Sequence, residues 1–353
     1  MWRLVLTVTL LCCGSEASVT CKNENNGQVD WYILYKAPRQ APLTGLEYLY
    51  MDSTGVRKMD PQQPNYKPID HPDGVLAHTL RPLFTPTRSM PLNFGFISYS
   101  DQPPGCSADD KFGHSKGVLM VDKTGTGVWL LHSTPQFPYD RDQNNFWPPT
   151  GASNAQTFIC VPLRPVHNHS EPAVHLSCVH MCPCAGTHLK YIRAFPFEHD
   201  IPLDFHQELR DVQNWVHPVP SDSFQSLTSN LSLPLHSIAK KRPEDDDGGD
   251  LYVTLTNRIE SHLLVQTWGC QASRAHSFCG PNNHKVENIN SVKTPLGNWK
   301  ATVDHSKWCV ANNPGKPWTC IADVNRAQTQ YKRRGGALCI NNAAIKKTHS
   351  WVL

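Results

Sequence analysis

The sequence predicts an α/β protein built from two pseudo-symmetric sheet-and-helix halves in one chain, and three observations carry that prediction. The tripeptide His-Ser-Lys occurs once in each half, as His114-Ser115-Lys116 and as His305-Ser306-Lys307. Each copy leads into an apolar β-rich run, a Gly- or Pro-containing turn and a second apolar run. That second run delivers one polar side chain, His132 in the first half and Asn325 in the second. Repetition of a whole unit, beyond the tripeptide itself, marks an internal duplication whose copies face each other across a pseudo-twofold axis.

Residues 1–17 place Arg3 ahead of an apolar run and end in small residues, with Ser15 and Ala17 set for cleavage, so they read as a secretory signal peptide. The run from Leu4 to Cys13 is too short to span a bilayer, and no later stretch has the roughly 18 uninterrupted apolar residues a spanning helix needs. Residues 18–200 form the first half. In it "VDWYILYK" (Val29 to Lys36), "GLEYLYMD", "LNFGFISYSD" and the two runs flanking the turn at Thr124 to Gly127 read as strands. From Pro162 to Pro202 the chain becomes Pro-, His- and Cys-rich and reads as loop-dominated. Residues 201–353 form the second half. "SIAKKRPEDDDGGD" reads as a solvated loop, with a basic processing site as the lesser alternative. Apolar spacing from Leu251 through Ile259 predicts a helix feeding "LLVQTW", after which "WKATVDHSKWCV" and "WTCIADVN" repeat the theme of the first half.

With a signal peptide, the thirteen cysteines enter an oxidising compartment, where disulfides are their default use. Cys12 and Cys13 leave with the signal, and the eleven that remain are odd in number, so at least one thiol stays free or pairs outside the chain. Sequons at Asn168 and Asn230 are glycosylation candidates of the same compartment. Cys178, Cys182 and Cys184, with His175, His180 and His188, form a Cys/His cluster. The compartment favours disulfides there and the spacing matches no common zinc site, so no metal is assigned. The net charge is only +3 at pH 7, but the chain carries 18 histidines. Near pH ~5 most of them would be protonated and the charge would rise by more than about ten units, so the molecule would attract polyanions chiefly in acid.

Two imidazoles meeting on opposite sides of a phosphodiester have a defined use. One attacks phosphorus and the other protonates the leaving oxygen, giving a phosphohistidine that water resolves. Lys116, Lys307 and Asn325 would hold the non-bridging oxygens, and the scheme requires no metal or other cofactor. Chance alone supplies about one His-x-Lys in a chain of this composition. His188-Leu189-Lys190 is a third copy in the irregular stretch, so the weight rests on the surroundings shared by the other two.

Together "DHSKWCV", "PWTCIADVNR", "GHSKGVLMVD", "WLLHSTPQFP", "VDWYILYK" and "GLEYLYMDSTG" resemble deoxyribonuclease II, the acid endonuclease of lysosomes, and its beta form more than its alpha form. The likeness spans most of the chain after the signal and weakens from about Pro165 to Pro202 and after Cys339. That family belongs to the phospholipase D superfamily, whose two halves each bring a His-x-Lys strand to one shared site. The resemblance implies a phospholipase D-like fold, double-stranded DNA as substrate, and metal-independent cleavage to 3′-phosphate and 5′-hydroxyl ends. It also implies a lysosomal location, with secretion as the alternative. It places catalytic roles on His114, Lys116, His132, His305 and Lys307 and phosphate positioning on Asn325. His114 is assigned as nucleophile and His305 as general acid, an assignment the residues allow to be exchanged. The family pattern further implies the disulfides Cys21–Cys160 and Cys320–Cys339, leaving Cys270 or Cys279 without its partner.

The sequence also departs from the family. The superfamily's aspartate after His-x-Lys falls one place late, at Asp122, and Asn312 or Asn313 takes the matching region of the second half. The family's Gly-Asp-x-Asn-Arg is Ala322-Asp323-Val324-Asn325-Arg326 here, and the chain stops fourteen residues after Cys339, short of the family's usual last helix and cysteine. Trp308 and Trp318 offer faces on which nucleotides could stack, with core packing as the commoner alternative. Lys332 to Arg334 is a candidate phosphate-contacting turn, with a solvated hairpin as its alternative. Two rival functions stay open: a catalytically silent paralogue that binds DNA or another polyanion, and a phosphodiesterase of the same fold acting on phospholipid or short oligonucleotides.

Overall fold

The structure is a computed structural model that describes residues 19–86, 89–163, 181–215, 224–228, 233–240, 249–280, 284–343 and 345. The signal segment, both sequons and most of the basic-then-acidic run lie outside the described residues. The first half forms a sheet from β1 (Tyr32–Lys36), β2 (Tyr48–Asp52), β3 (Gly55–Met59), β4 (Phe94–Ser100), β5 (Lys116–Asp122), β6 (Gly127–His132), β7 (Gln156–Leu163) and β8 (Pro196–Asp200). Its order is β3-β2-β1-β7-β6-β5-β4-β8 and every neighbouring pair is antiparallel.

The second half forms a sheet from β9 (Phe224–Thr228), β10 (Pro234–Ala239), β11 (Leu263–Gln266), β12 (Phe278–Cys279), β13 (Lys285–Asn288), β16 (Trp308–Ala311), β17 (Trp318–Ala322) and β18 (Gly336–Asn341). A hairpin of β14 (Ser291–Thr294) and β15 (Gly297–Lys300) stands apart. The order is β12-β13-β11-β16-β17-β18-β10-β9. The run β4-β5-β6-β7-β1 of the first sheet therefore matches β11-β16-β17-β18-β10 of the second.

Apolar residues run continuously along the central strands because both faces of each sheet are covered. On the first sheet Val118, Met120, Val128 and Leu130 pack outward with helix α1 (Val75–Leu80). Leu119, Val121, Trp129 and Leu131 face inward to a core shared with Trp308, Val310, Ile321, Leu338 and Ile340 of the second sheet. The outer face of the second sheet packs Cys309, Cys320 and Ala322 against Tyr252, Leu255 and Ile259 of helix α4 (Leu251–Ile259). Asp250 caps α4 by accepting from the Tyr252 N–H and also holds Arg326 at 2.9 Å, which ties this helix to the end of β17.

The segment read as loop-dominated holds more structure than its composition suggests. From residue 181 it forms α2 (Met181–Tyr191) and β8, and α2 packs with α3 (Gln207–Gln213). A proline in the first turn of α2 is tolerated, because N–H groups there have no helical partner anyway. Proline and cysteine nevertheless hide the helical period. The short helix α5 (Gln328–Tyr331) precedes the basic turn.

Both disulfides implied by the family resemblance are present. Cys21–Cys160 closes a separation of 139 residues, and Cys320–Cys339 closes one of 19. Loop-closure entropy makes the longer cross-link the more stabilising, at about 3–5 kcal/mol against about 3 for the shorter. Urea denaturation of Cys21→Ala/Cys160→Ala should therefore lose more stability than Cys320→Ala/Cys339→Ala; the reverse order would contradict this account.

Candidate active site

Both His-Ser-Lys segments enter the matched strands β5 and β16 at the seam between the sheets. The His114 N–H donates to the Arg334 carbonyl of the second half at 2.8 Å, and the His305 N–H donates to the Ala155 carbonyl of the first half at 3.0 Å. These two bonds are structural equivalents. The Ser133 N–H donates to Thr157 O and the Asp323 N–H to Gly336 O, which aligns Thr157 with Gly336 and hence Ala155 with Arg334. Each half thus fixes the other's histidine.

The surroundings of the two histidines differ. Asp101 follows Ser100, which pairs with Lys116 across β4 and β5. Its carboxylate lies 2.6 Å from His114 Nδ1, 2.5 Å from Lys116 Nζ and 3.2 Å from an Arg333 guanidinium nitrogen. Burial alone would raise the Asp101 carboxyl, but the Lys116 and His114 charges overcome it and hold it well below the usual range. An Nδ1–H donated to Asp101 leaves the Nε2 lone pair of His114 available. Burial, then the Lys116 cation, push His114 down to about 3, with a further push from Lys307, despite the raising effect of Asp101.

His305 is half-buried against the Trp268 ring, with centroids 4.5 Å apart. Trp268 is fixed by donation from Nε1 to Thr302 O at 3.0 Å and from its N–H to Asn325 Oδ1 at 3.2 Å. Burial, followed by Lys307 and Lys116, pushes His305 down to about 4. The neighbouring Asp304 is taken up elsewhere: it accepts from Tyr35 Oη of β1, from Trp299 Nε1 at 2.8 Å and from the Ser306 N–H at 3.0 Å.

Lys307 is buried and donates to His305 O at 2.9 Å. Burial and the nearby Lys116 charge bring it down to about 7. Burial raises Asp323 to about 8, although it accepts the Gly336 N–H at 2.8 Å. Lys116 acts on His305 and Lys307 acts on His114, so charges from the two halves share one small volume.

The other expected residues fall out unevenly. His132 is buried in an aromatic pocket, 4.8 Å from Phe137 and 5.5 Å from Phe158 by ring centroids, and burial and Lys116 keep it neutral. The register pairs Gly117 with Leu131 and Trp308 with Ile321. His132 therefore corresponds to Ala322 and not to Asn325, which corrects that part of the expected duplication. Asn325 accepts from the Trp268 N–H and donates one amide hydrogen to Gln271 Oε1 at 3.1 Å, which leaves a second amide hydrogen to offer.

Trp308 and Trp318 are 1 % and 9 % exposed and belong to the core, so neither is a stacking platform; Trp268, which the sequence did not single out, is the aromatic beside a histidine. Asp122 and Asn313 bond backbone N–H groups of their own turns, and the carboxylate at the first His-Ser-Lys is Asp101. Asp101 escaped notice because only strand pairing brings it beside Lys116. Arg333 in the basic turn binds Asp101, while Arg334 donates to Tyr191 O. In the Cys/His cluster Cys184 is disulfide-bonded, which removes it from a zinc set, and His188 Nδ1 lies 2.5 Å from Ser237 Oγ. Among the described residues Cys106, Cys270, Cys279 and Cys309 are free thiols.

A duplicated α/β chain with one His-x-Lys centre at its seam is the class that fold and site define. The chain belongs to the deoxyribonuclease II family, whose profile matches residues 20–352, and is accordingly a hydrolase of that type. It is 33 % identical to rat (Rattus norvegicus) deoxyribonuclease-2-alpha over 361 residues, covering 97 % of this chain and 95 % of that protein. It is 31 % identical to human (Homo sapiens) deoxyribonuclease-2-beta over 341 residues, covering 93 % and 88 %. These values do not place the beta form ahead. Yeast tyrosyl-DNA phosphodiesterase aligns over 70 % of this chain and 69 % of its own at 11 % identity, but a TM-score of 0.31 carries no argument.

Asp101→Asn would keep the shape but offer His114 Nδ1 a partner that no longer fixes its tautomer. A fall in kcat of roughly a hundredfold or more is expected, with KM changed far less. Steady-state kinetics on duplex DNA would decide this, and an unchanged kcat would remove Asp101 from the site.

Proposed function

We propose that this protein is an acid endodeoxyribonuclease that cleaves duplex DNA without a metal, in the lysosome or after secretion. The observation that carries this reading is the asymmetric bracing of two histidines at one seam: His114 against Asp101, His305 against Trp268. In the first step Nε2 of His114 attacks phosphorus and the P–O5′ bond breaks. His305 gives its proton to the departing 5′ oxygen, which leaves as a hydroxyl. In the second step His305 takes a proton from water, and the resulting hydroxide breaks the P–N bond. A 3′-phosphate departs and His114 is restored. Lys116 and Lys307 hold the non-bridging oxygens while charge builds on them, and Asn325 keeps one amide hydrogen for the same purpose.

Three trends favour acid. His305 sits near 4 in the free protein, so its protonated fraction falls about tenfold for each pH unit above that value. Lys307 loses its charge as pH rises through about 7, and Asp323 gains a negative charge as pH rises through about 8. Each change weakens catalysis or phosphate binding as pH increases.

Supercoiled-plasmid cleavage by the mature protein, with EDTA present, should fall roughly a hundredfold or more between pH 5 and pH 7.5. His114→Ala and His305→Ala should each abolish it. Loss of cutting with EDTA would refute the metal-independent scheme, and binding without nicking would favour the silent paralogue.

A further inference from the structure

We propose that Arg333 is a positioning residue for the nucleophile: reaching across the seam from the second half, it shares Asp101 with His114 and keeps that histidine unprotonated in acid. The inference rests on the reading of His114 as nucleophile and adds a residue to it. An acid nuclease that attacks through histidine faces a contradiction. At pH 5 an ordinary imidazole is about 97 % protonated and has no lone pair to offer.

The geometry around His114 addresses that difficulty. Arg333 leads into β18 and sits one residue before Arg334, whose carbonyl holds the His114 N–H. Its guanidinium lies 3.2 Å from Oδ2 of Asp101, the same oxygen that His114 Nδ1 contacts at 2.6 Å, and 3.4 Å from His114 Nδ1 itself. A further donation to Phe112 O at 3.3 Å fixes its direction, and its side chain is 23 % exposed. The other charged groups that bear on His114 are Lys116 on β5, Lys307 before β16 and Asp101 after β4. Asp323, after β17, packs against Gly335, which also approaches His114 O, and it is neutral in acid.

Asp101 carries one negative charge, and Lys116 already offsets it at Oδ1. Arg333 draws on the lone pairs of Oδ2 that would otherwise stabilise an imidazolium, and places a second cation beside the ring. Protonated His114 would then sit between like charges, which disfavours that form. Lys116 contributes in the same direction from within the first half. Arg333 makes the effect depend on the second half being docked.

The test is the pH dependence of kcat/KM between pH 3.5 and 7 on duplex DNA with EDTA, for wild type, Arg333→Met and Arg333→Lys, with thermal melts to confirm folding. Removing the charge should move the acidic limb upward by about one pH unit, as expected for loss of one cation at this distance. With His114 starting near 3, Arg333→Met would then be about threefold slower than wild type at pH 3.5 and equal to it at pH 6, and Arg333→Lys should restore the limb. A loss of the same size at every pH would overturn the inference, as would Arg333→Lys behaving like Arg333→Met. If Arg333→Met does not fold, Arg333→Gln keeps a donor for Phe112 without charge and carries the same expectation. His114→Ala that still cuts would sink the reading of the site itself; inactive His114→Ala with an unmoved limb in the Arg333 variants would sink this inference alone.

Discussion

The centre depends on two reciprocal backbone hydrogen bonds, His114 N–H to Arg334 O and His305 N–H to Ala155 O. Backbone bonds of this kind tolerate most changes of side chain at the histidines themselves, proline excepted, but they require close approach. Gly113 eases it, since a Cβ there would lie 3.1 Å from Arg334 O and 2.1 Å from Ile192 O. The loops that supply the two carbonyls are pinned by a matched pair of buried lysines. Lys36 donates to Ala37 O, Gly45 O and Ala152 O at 2.7, 2.9 and 3.2 Å, and Lys240 donates to Gln330 O and Tyr331 O at 2.7 and 2.5 Å. Lys36 pairs with Gln156, and the Lys240 N–H donates to Gly335 O, so the two lysines occupy equivalent places in β1 and after β10.

Symmetry ends at the side chains, where the proposed chemistry needs two roles. Asp101 braces the first histidine, while the aspartate beside the second spends its oxygens on Tyr35, Trp299 and Ser306. The second histidine instead meets an aromatic face and remains half-exposed, a setting from which a proton can be delivered and regained. A duplicated scaffold thus supplies alignment, and under the proposed mechanism local divergence would supply the difference between nucleophile and acid.

Much of the scaffold was legible because strands buried on both faces read as continuous apolar runs; β1, β2, β4, β5 and β6 appear where those runs stand. The helical spacing after Leu251 was equally plain, and α4 fills it. The two tripeptides located both histidines and both lysines, since a repeated motif survives in one dimension. Asp101, Arg333 and Trp268 were illegible for the opposite reason: each reaches the site through a pairing or a turn distant in sequence. Trp308 follows the commoner of its two readings: strand alternation turns the ring into the core despite its adjacency to the motif. The helix α2 was hidden by its proline and cysteines, yet Cys184, Ala185 and Leu189 pack into the inner core.

Charge balance explains why such a centre can be buried at all. The buried Asp101 carboxylate is met by Lys116 at Oδ1 and by the part-exposed Arg333 at Oδ2, which offsets its desolvation and leaves one cation in excess. Lys307 is different: it donates to a backbone carbonyl and forms no ion pair among the described residues, so its charge is the costly one. That cost appears as its fall to about 7. Under the proposed function an arriving phosphate would supply the missing counter-charge, and binding would favour the protonated lysine. Above neutrality the protein would have to take up a proton to bind; below it the cation is already present. On that reading the same burial that lowers Lys307 would tie substrate affinity to acid, independently of the histidines.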